Sequence, residues 1–383
     1  MTTVGILLVL LVSGLCLEAV VVHRWTSSFR VRVHVGGTRG KSTVVRYVAA
    51  VLRQSGYRVL GKVTGEIPTV LLPDGTSQHL HRRGPARVQE QVRMLGLAHK
   101  HSCDAVVLEC MSLNPLLQAL EARILRPTVS VLTNLLDDHR EEFGALPREQ
   151  AEAMCAFFPA RAALVSNEQV YGDVVDSCAA RVSTRVIRAI RDGPALPSEL
   201  PPGVHGDNIA LTVAVCEELG IKREAALRAI LEEIRKAPLP LRTFAAARGT
   251  LLFLDGFAVN DVTSARRFLD RWRVHIGSVQ SIAIILNTRA DRPIRSLQFA
   301  AWCGTLEDLE HVVVTGTHRA RTRRALKESG IDPGRITLWS SAELRQPVDA
   351  LQGLRLPDTC LVVGLGNIAG DGFAILEGMQ RWS

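Results

Sequence analysis

Lysine is scarce in this 383-residue chain: six positions, Lys41, Lys62, Lys100, Lys222, Lys236 and Lys327, among 46 basic residues. None stands between Lys100 and Lys222. Aromatic residues are also few, 5% of the chain, and no basic stripe is interleaved with them. That absence, with no nucleic-acid motif, excludes a nucleic-acid partner. The eight cysteines (Cys16, Cys103, Cys110, Cys155, Cys178, Cys216, Cys303, Cys360) form no C-x-x-C pair, so zinc spacing is missing. Several sit inside apolar runs and read as buried, reduced thiols. There is no repeat and no low-complexity tract.

What is present is an ordinary globular composition, 47% hydrophobic and 22% charged, with room for two or three domains. Net charge is +8 and the pI about 9.3. The excess suits acidic partners such as a nucleotide, anionic lipid or a polyanionic product. An Arg-favouring genome accounts for most of it.

Residues 4–22 form one long apolar run, just long enough to cross a bilayer. Glu18 lies near its end, where a carboxylate reaches the interface at lower cost. His23, Arg24, Arg30 and Arg32 follow, and no Lys or Arg precedes it. The bias puts the C-terminal side in the cytoplasm. A basic n-region and a small-residue cleavage site are both missing, so an uncleaved single-pass anchor is expected rather than a signal peptide.

The most specific stretch is Gly36-Gly37-Thr38-Arg39-Gly40-Lys41-Ser42-Thr43. It follows a strand pattern, residues 31–35, and precedes a helical one, residues 44–54. Strand, Gly-rich turn, Gly-Lys-Ser and helix cradle a nucleotide's phosphates. Backbone N–H groups of Gly37 to Thr43 turn inward, and the helix N-terminus adds partial positive charge. Lys41 reaches the β- and γ-phosphates and Ser42 ligates Mg²⁺. The common eight-residue pattern wants Gly where Val35 stands, so only the shorter form is intact.

Strand and helix patterns then alternate. Strands are expected at 59–63, 105–109, 128–134 and 162–166, a hairpin at 69–81, and helices at 87–99, 207–219 and 222–235. This rhythm implies a mostly parallel sheet covered on both faces. Pro238-Leu239-Pro240-Leu241-Arg242 breaks it and reads as a linker. A second α/β rhythm follows, with strands at 251–255, 282–286, 311–315, 337–340 and 360–365. The expected division is 1–24 anchor, 25–238 nucleotide-binding domain and 239–383 second α/β domain. Gly364-x-Gly366-Asn367-x-x-Gly370 mimics a dinucleotide fingerprint but ends the last strand, so a tight backbone turn is expected there.

Acidic and polar residues mark the strand ends, where ligands bind in such sheets. Glu109 suits Mg²⁺ or a helix cap. Thr133-Asn134-Leu135-Leu136-Asp137-Asp138-His139 closes the next strand, as a site or as a polar turn. His205-Gly206-Asp207-Asn208 opens a helix, where Asp207 or Asn208 equally suits the N-cap. Asp255-Gly256-Phe257-Ala258-Val259-Asn260-Asp261 ends the first strand of the last domain.

The short phosphate loop with these segments resembles the Mur ligase superfamily, ATP-driven amide-bond synthetases that include folylpolyglutamate synthase. The resemblance implies an α/β fold with a P-loop central domain and a Rossmann-like C-terminal domain. It implies that Glu109 binds metal and that Asn134 belongs to the ATP site. It implies that His139 helps hold a second metal or the transferred phosphate. It further implies that Asn208 contacts adenine, that Arg242 reaches ATP, and that Asp255 works at the ribose or reacting phosphate. Many Mur ligases carry a carbamylated lysine ahead of the His-x-x-Asn helix; the lysine gap here removes it.

Arg82-Arg83-Gly84-Pro85-Ala86, with Gln89-Glu90-Gln91 after it, the Glu109 to Pro115 stretch, and Leu286 to Ser296 narrow the match. With the anchor and Val363-Gly364-Leu365-Gly366-Asn367, they resemble the poly-γ-glutamate synthase family, membrane-anchored ligases of bacterial capsule systems. That resemblance implies ATP and Mg²⁺ as cofactors, glutamate and the growing poly-γ-glutamate chain as substrates, and small integral-membrane subunits as partners. Arg289, Arg292 and Arg295 are the candidate carboxylate clamp, because guanidinium grips carboxylate in a fork; a helix-start cluster paired to Asp291 is the alternative. Other Mur-type or folate-type ligases and a membrane-tethered P-loop ATPase are the rival functions.

Overall fold

The computed structural model describes residues 3–381 except 66, 83, 85, 137–146, 191–200, 202–203, 237–239, 247–248, 260, 278, 291, 355 and 358–359. The chain divides into two compact units: Met1–Ser198 with His205–Ala237, and Glu199–Val204 with Pro238–Ser383.

The first unit opens on helix α1 (Thr3–Ser28), whose apolar part has a mean hydropathy of 2.6 and is not buried in the protein. By length and composition it qualifies as a membrane span. It continues unbroken past residue 24, the expected end of the anchor. Its last turns pack on the domain: Val22 and Trp25 join the cluster of Phe29, Leu60, Leu95 and Leu108. Arg24 is a good helix former and no Gly or Pro falls between Val20 and Ser28, so the basic pair His23-Arg24 does not stop it.

The body of this unit is an eight-stranded sheet in the order β4-β3-β2-β5-β1-β6-β7-β8. Its strands are β1 (Val31–Gly36), β2 (Val59–Val63), β3 (Thr69–Leu71), β4 (Ser77–His79), β5 (Ala105–Glu109), β6 (Val129–Leu132), β7 (Ala163–Ser166) and β8 (Arg185–Arg188). Those from β2 to β8 across the centre run parallel, and the β2-β3-β4 edge is antiparallel. The central strands β2, β5 and β6 are buried from end to end and β1 all but at Arg32, as a sheet covered on both faces requires. Helices α2 (Lys41–Gln54), α3 (Gln89–Lys100), α4 (Pro115–Leu125), α5 (Pro147–Met154), α6 (Gly172–Arg181), α7 (Gly206–Glu218) and α8 (Arg223–Lys236) complete the unit. Val44, Val45, Val48 and Leu52 of α2 bury against Val33, Val35 and Val107 of the sheet. Helix α4 was not expected as an element; Asn114 caps it, its side chain accepting from Leu116 N at 2.9 Å.

The second unit holds a six-stranded sheet in the order β13-β12-β11-β14-β10-β9. Its strands are β9 (Leu241–Ala246), β10 (Gly249–Asp255), β11 (Ser281–Thr288), β12 (Leu309–Gly316), β13 (Ile336–Leu338) and β14 (Cys360–Leu365). All pair in parallel except β9, which runs antiparallel to β10. Leu241 and Arg242 therefore belong to an edge strand and not to a linker; Arg242 pairs with Phe253. Helices α9 (Val262–Ile276), α10 (Pro293–Cys303), α11 (Arg319–Glu328), α12 (Ser341–Arg345), α13 (Pro347–Gly353) and α14 (Asp371–Gln380) flank the sheet. Gly366 has φ +94°, and a Cβ there would lie 2.6 Å from the Asn287 carbonyl oxygen. The late glycines thus serve close strand packing, as expected of a tight turn.

Of the eight cysteines, Cys16 is exposed on α1 and Cys178 half-buried; the other six are buried and all are free thiols.

Candidate active site

Sheet register assembles the site. In the parallel β1–β5 pair, Val35 stands opposite Glu109; in the β1–β6 pair, Gly36 stands opposite Leu132. The loop after β1 is therefore flanked by Glu109 on one side and by Thr133-Asn134 on the other. β1 is the central strand, the place where ligands collect in an open α/β sheet.

The loop's shape depends on two glycines with left-handed backbones, Gly37 at φ +117° and Gly40 at φ +86°. A Cβ on Gly37 would run into Thr133, and one on Gly40 into the Asn208 amide. Both positions need glycine for conformation and for space. Gly40 leads directly into α2, so the first N–H groups of that helix open onto the loop. Lys41 Nζ donates to Gly37 O at 2.7 Å and Thr38 O at 3.1 Å, drawing the ammonium over the loop. Ser42 Oγ donates to Glu109 Oε2 at 2.8 Å, and the same oxygen accepts Thr64 N–H at 2.7 Å. Glu109 is 3% exposed. It caps no helix: the following cap is Asn114. A hydroxyl and a buried carboxylate converging beside a phosphate loop are a hard-oxygen donor pair, which fits Mg²⁺. Thr64 had no sequence signal of its own, because it contributes main chain.

Asn134 is wholly engaged with the loop. Its Oδ1 accepts Arg39 N–H at 2.9 Å, its Nδ2 donates to Arg39 O at 3.0 Å, and its carbonyl accepts Thr38 N–H at 2.9 Å. It holds the loop's backbone from below, along with Thr38 Oγ1 donating to Leu136 O at 3.1 Å. Thr43 completes the loop in the first turn of α2. Asn208 is buried against Gly40 in the first turn of α7, whose N-cap is His205 with no side-chain capping bond. Capping is therefore not the role of Asn208. His139, Asp137 and Asp138 lie outside the described residues.

Behind the loop is a buried polar network. Glu121, fully buried, accepts from Ser112 N at 3.0 Å, Met111 N at 3.3 Å, Gln91 Nε2 at 2.6 Å and the Ser112 hydroxyl. His34 Nε2 lies 3.5 Å from it. Burial works to raise the Glu121 pKa, but His34, Ser112 and Gln91 overcome it and hold the carboxyl below its ordinary range. Sequence reasoning passed over this network because its members come from β1, α3, α4 and the segment after β5.

In the second unit, Asp255 ends β10 opposite Gly364 of β14. Burial raises its pKa, against Phe257 N–H, which it accepts at 3.3 Å, and the charge of Arg242. Arg289, Arg292 and Arg295 come together: all three line one narrow crevice with Asn287, Gly366 and Asn367. Asn287 Nδ2 donates to Asn367 O at 2.6 Å and Ala369 O at 3.0 Å, which fixes the wall of that crevice. Asn260 and Asp291 lie outside the described residues.

Known proteins resemble the chain along most of its length. Residues 35–194 match the model of the Mur ligase middle domain, and residues 241–381 that of the poly-gamma-glutamate synthase CapB C-terminal domain. The chain is 28% identical to the capsule biosynthesis protein CapB of Bacillus anthracis, over 96% of this chain and 82% of that one. It is 27% identical to the PGA synthase CapB of Bacillus subtilis, over 92% and 91%. Among solved structures, Mycobacterium tuberculosis folylpolyglutamate synthase complexed with ADP and AMPPCP aligns at a TM-score of 0.70, with 16% identity over 94% of this chain and 93% of the other. The Yersinia pestis folylpolyglutamate synthase/dihydrofolate synthase with AMPPNP and Mn aligns at 0.68, with 17% identity over 94% and 91%. At these identities the solved structures establish the fold. The two family models, one for each unit, and the relatives agree: a segment matching the Mur ligase middle domain is followed by one matching the CapB C-terminal domain, and the chain is similar to the CapB proteins along most of its length.

Proposed function

We propose that this chain is an ATP-dependent amide ligase that lengthens poly-γ-glutamate through γ-carboxyl linkages. The observation that carries it is the phosphate loop with Ser42 hydrogen-bonded to a buried Glu109, in a chain similar to the CapB proteins along most of its length. Carboxylate and amine do not condense unaided in water, so the carboxylate must be activated. A γ-carboxylate oxygen attacks the γ-phosphorus of ATP and ADP leaves, giving an acyl phosphate. The amine of the next glutamate attacks the acyl carbon. Phosphate departs with the former carboxylate oxygen, and the amine loses a proton. Lys41 and the loop N–H groups hold the phosphates in line and take up the charge that develops. Ser42 and Glu109 would hold Mg²⁺, which when bound neutralises phosphate oxygens. Asn134 and Asn208 position the loop around the nucleotide. His139 remains a proposed phosphate or metal contact.

Arg242 and Asp255 are proposed to serve the nucleotide. Asp255 has a raised folded pKa, so ionisation costs stability once pH exceeds its unfolded value. Asp255→Asn is therefore expected to keep or raise the thermal midpoint at neutral pH while cutting turnover about 10²-fold. A fall in the midpoint with turnover intact would remove Asp255 from the site.

Arg289, Arg292 and Arg295 are proposed to clamp the carboxylates of incoming glutamate. Arg292→Ala should raise the glutamate KM roughly tenfold. Unchanged KM and unchanged rate would take Arg292 out of the site.

Residues 4–22 are proposed to lie in the cytoplasmic membrane with the domains in the cytoplasm. The exposed apolar side chains of α1, from Val4 to Val20, would otherwise face water. Small integral-membrane subunits of a capsule synthase are the expected partners.

The test is ADP release by the membrane-embedded protein with Mg²⁺, with and without glutamate, and mass analysis of the product. Glutamate-dependent release with a γ-linked polymer supports the ligase. Release indifferent to glutamate, with no polymer, supports a tethered ATPase instead.

A further inference from the structure

The first unit has a second concave site that the reaction scheme leaves unused. The chain leaving β4 passes the start of α3, and between them is a cavity of about 260 Å³. That is just below the roughly 300–1,000 Å³ of small-ligand pockets. Its ionisable wall is His81, Arg82, Arg87, Glu90 and Arg93, with Gln89 beside them.

Glu90 is its only carboxylate among the described residues, and it is already taken twice. Arg82 grips it with a two-point fork, Nε to Oε1 at 2.8 Å and a terminal nitrogen to Oε2 at 3.0 Å. Lys62 Nζ lies 3.2 Å from Oε2. Lys62 is fully buried, so that ammonium cannot turn to solvent for another partner. Burial acts to raise the Glu90 pKa, but Arg82 and Lys62 together keep it below the ordinary carboxylate range. One negative charge is thus shared by two positive ones. Arg87 and Arg93 add two exposed guanidinium groups that make no ion pair among the described residues. The cavity carries a surplus of positive charge with its own carboxylate spent.

The neighbour of Glu90 ties this cavity to the chemistry. Gln91 Oε1 accepts from Lys62 Nζ at 3.4 Å, while its Nε2 donates to Glu109 O at 3.1 Å. One residue faces the cavity and the next touches the strand end that presents the candidate metal carboxylate.

We propose that this cavity is a holding subsite for the growing acceptor chain, gripping its free carboxylates through Arg87 and Arg93, beside the Arg82 guanidinium that Glu90 holds in place. A γ-linked glutamate chain leaves one α-carboxylate free on every residue, so it offers repeated anions to a set of guanidinium forks. This rests on the ligase reading and adds where the polymer is held. The cations sit apart from the phosphate loop, which has its own anion donors.

The test uses the full chain in detergent micelles, without ATP, and a fluorescent γ-glutamyl decamer followed by anisotropy. Arg87 and Arg93 are exposed, so the Arg87→Gln/Arg93→Gln variant should fold, which its thermal midpoint checks. Wild-type protein should bind the decamer, weakening with salt, and the variant should bind roughly tenfold more weakly. Equal affinity in a folded variant, or no binding by the wild type, overturns the subsite. The ligase reading is judged separately by glutamate-dependent ADP release from the same wild-type preparation. If that release is present and the decamer affinities are equal, the subsite alone fails. If that release is absent, the reading beneath it fails.

Discussion

Lys41→Ala abolishes amide formation, with kcat falling by about 10²–10³-fold or more. Lys41 is the first residue of α2, directly after the left-handed Gly40, and its ammonium is drawn across Gly37 O and Thr38 O. Lys62, the nearest lysine in sequence, cannot replace it, being buried and locked on Glu90. The transferred phosphoryl group spreads negative charge over its oxygens, and the loss of one fixed cation there is felt mainly in the transition state. Folding should be little affected, since the lost bonds are two partly solvated contacts, each about 1 kcal/mol. Lys41→Arg should not restore activity, because a planar fork does not fit where a compact ammonium sits. Single-turnover kinetics with the unfolding midpoint check both halves. A variant that keeps its rate would remove the loop from catalysis.

The largest stability effect falls on Glu121. Its fully buried carboxylate is the meeting point of the buried Gln91 and His34 and of the half-buried Met111 and Ser112. Glu121→Ala leaves several buried donors without an acceptor, and a loss of about 3–5 kcal/mol is expected, as when one side of a buried charged group is deleted. Because the network holds the segment after Glu109, activity should fall with it. The folded pKa of Glu121 is held below its unfolded value. Its stabilisation is therefore present above the unfolded pKa and is lost as pH falls through the folded one. Denaturant unfolding against pH should show wild type losing its advantage over Glu121→Gln in acid. Parallel curves for the two proteins would show that ionisation of Glu121 contributes nothing.

What could be read from the chain was local. The phosphate loop is a contiguous run whose flanking strand and helix announce themselves by periodicity, and both glycines sit where a turn needs them. Most of the parallel strands are short, largely apolar runs, and their positions fell within a few residues of those observed; β8, which begins and ends in arginine, was not legible. Glu109 was legible because it ends one of them. The Glu121 network was not legible, because burial of His34, Gln91 and Glu121 follows from packing three helices and strands that are distant in sequence. Asn134 was taken for an ATP contact, yet its amide is matched to Arg39 backbone, a pairing visible only in three dimensions. Arg242 looks like a linker residue because two prolines precede it, while the partner that makes it a strand residue, Phe253, stands on the following strand. The stretch around Arg82 and Glu90 carried part of the family resemblance, but the cavity it forms, and the sharing of Glu90 between Arg82 and a lysine from another strand, are visible only in three dimensions.

The measurement that bears most directly on the ligase is the fate of oxygen. A γ-glutamyl acceptor labelled with ¹⁸O in its terminal γ-carboxylate is extended with ATP and glutamate, and the released phosphate is analysed by mass. An acyl-phosphate route transfers one labelled oxygen into phosphate for each amide formed. Amide formation with phosphate free of label would contradict the proposed chemistry.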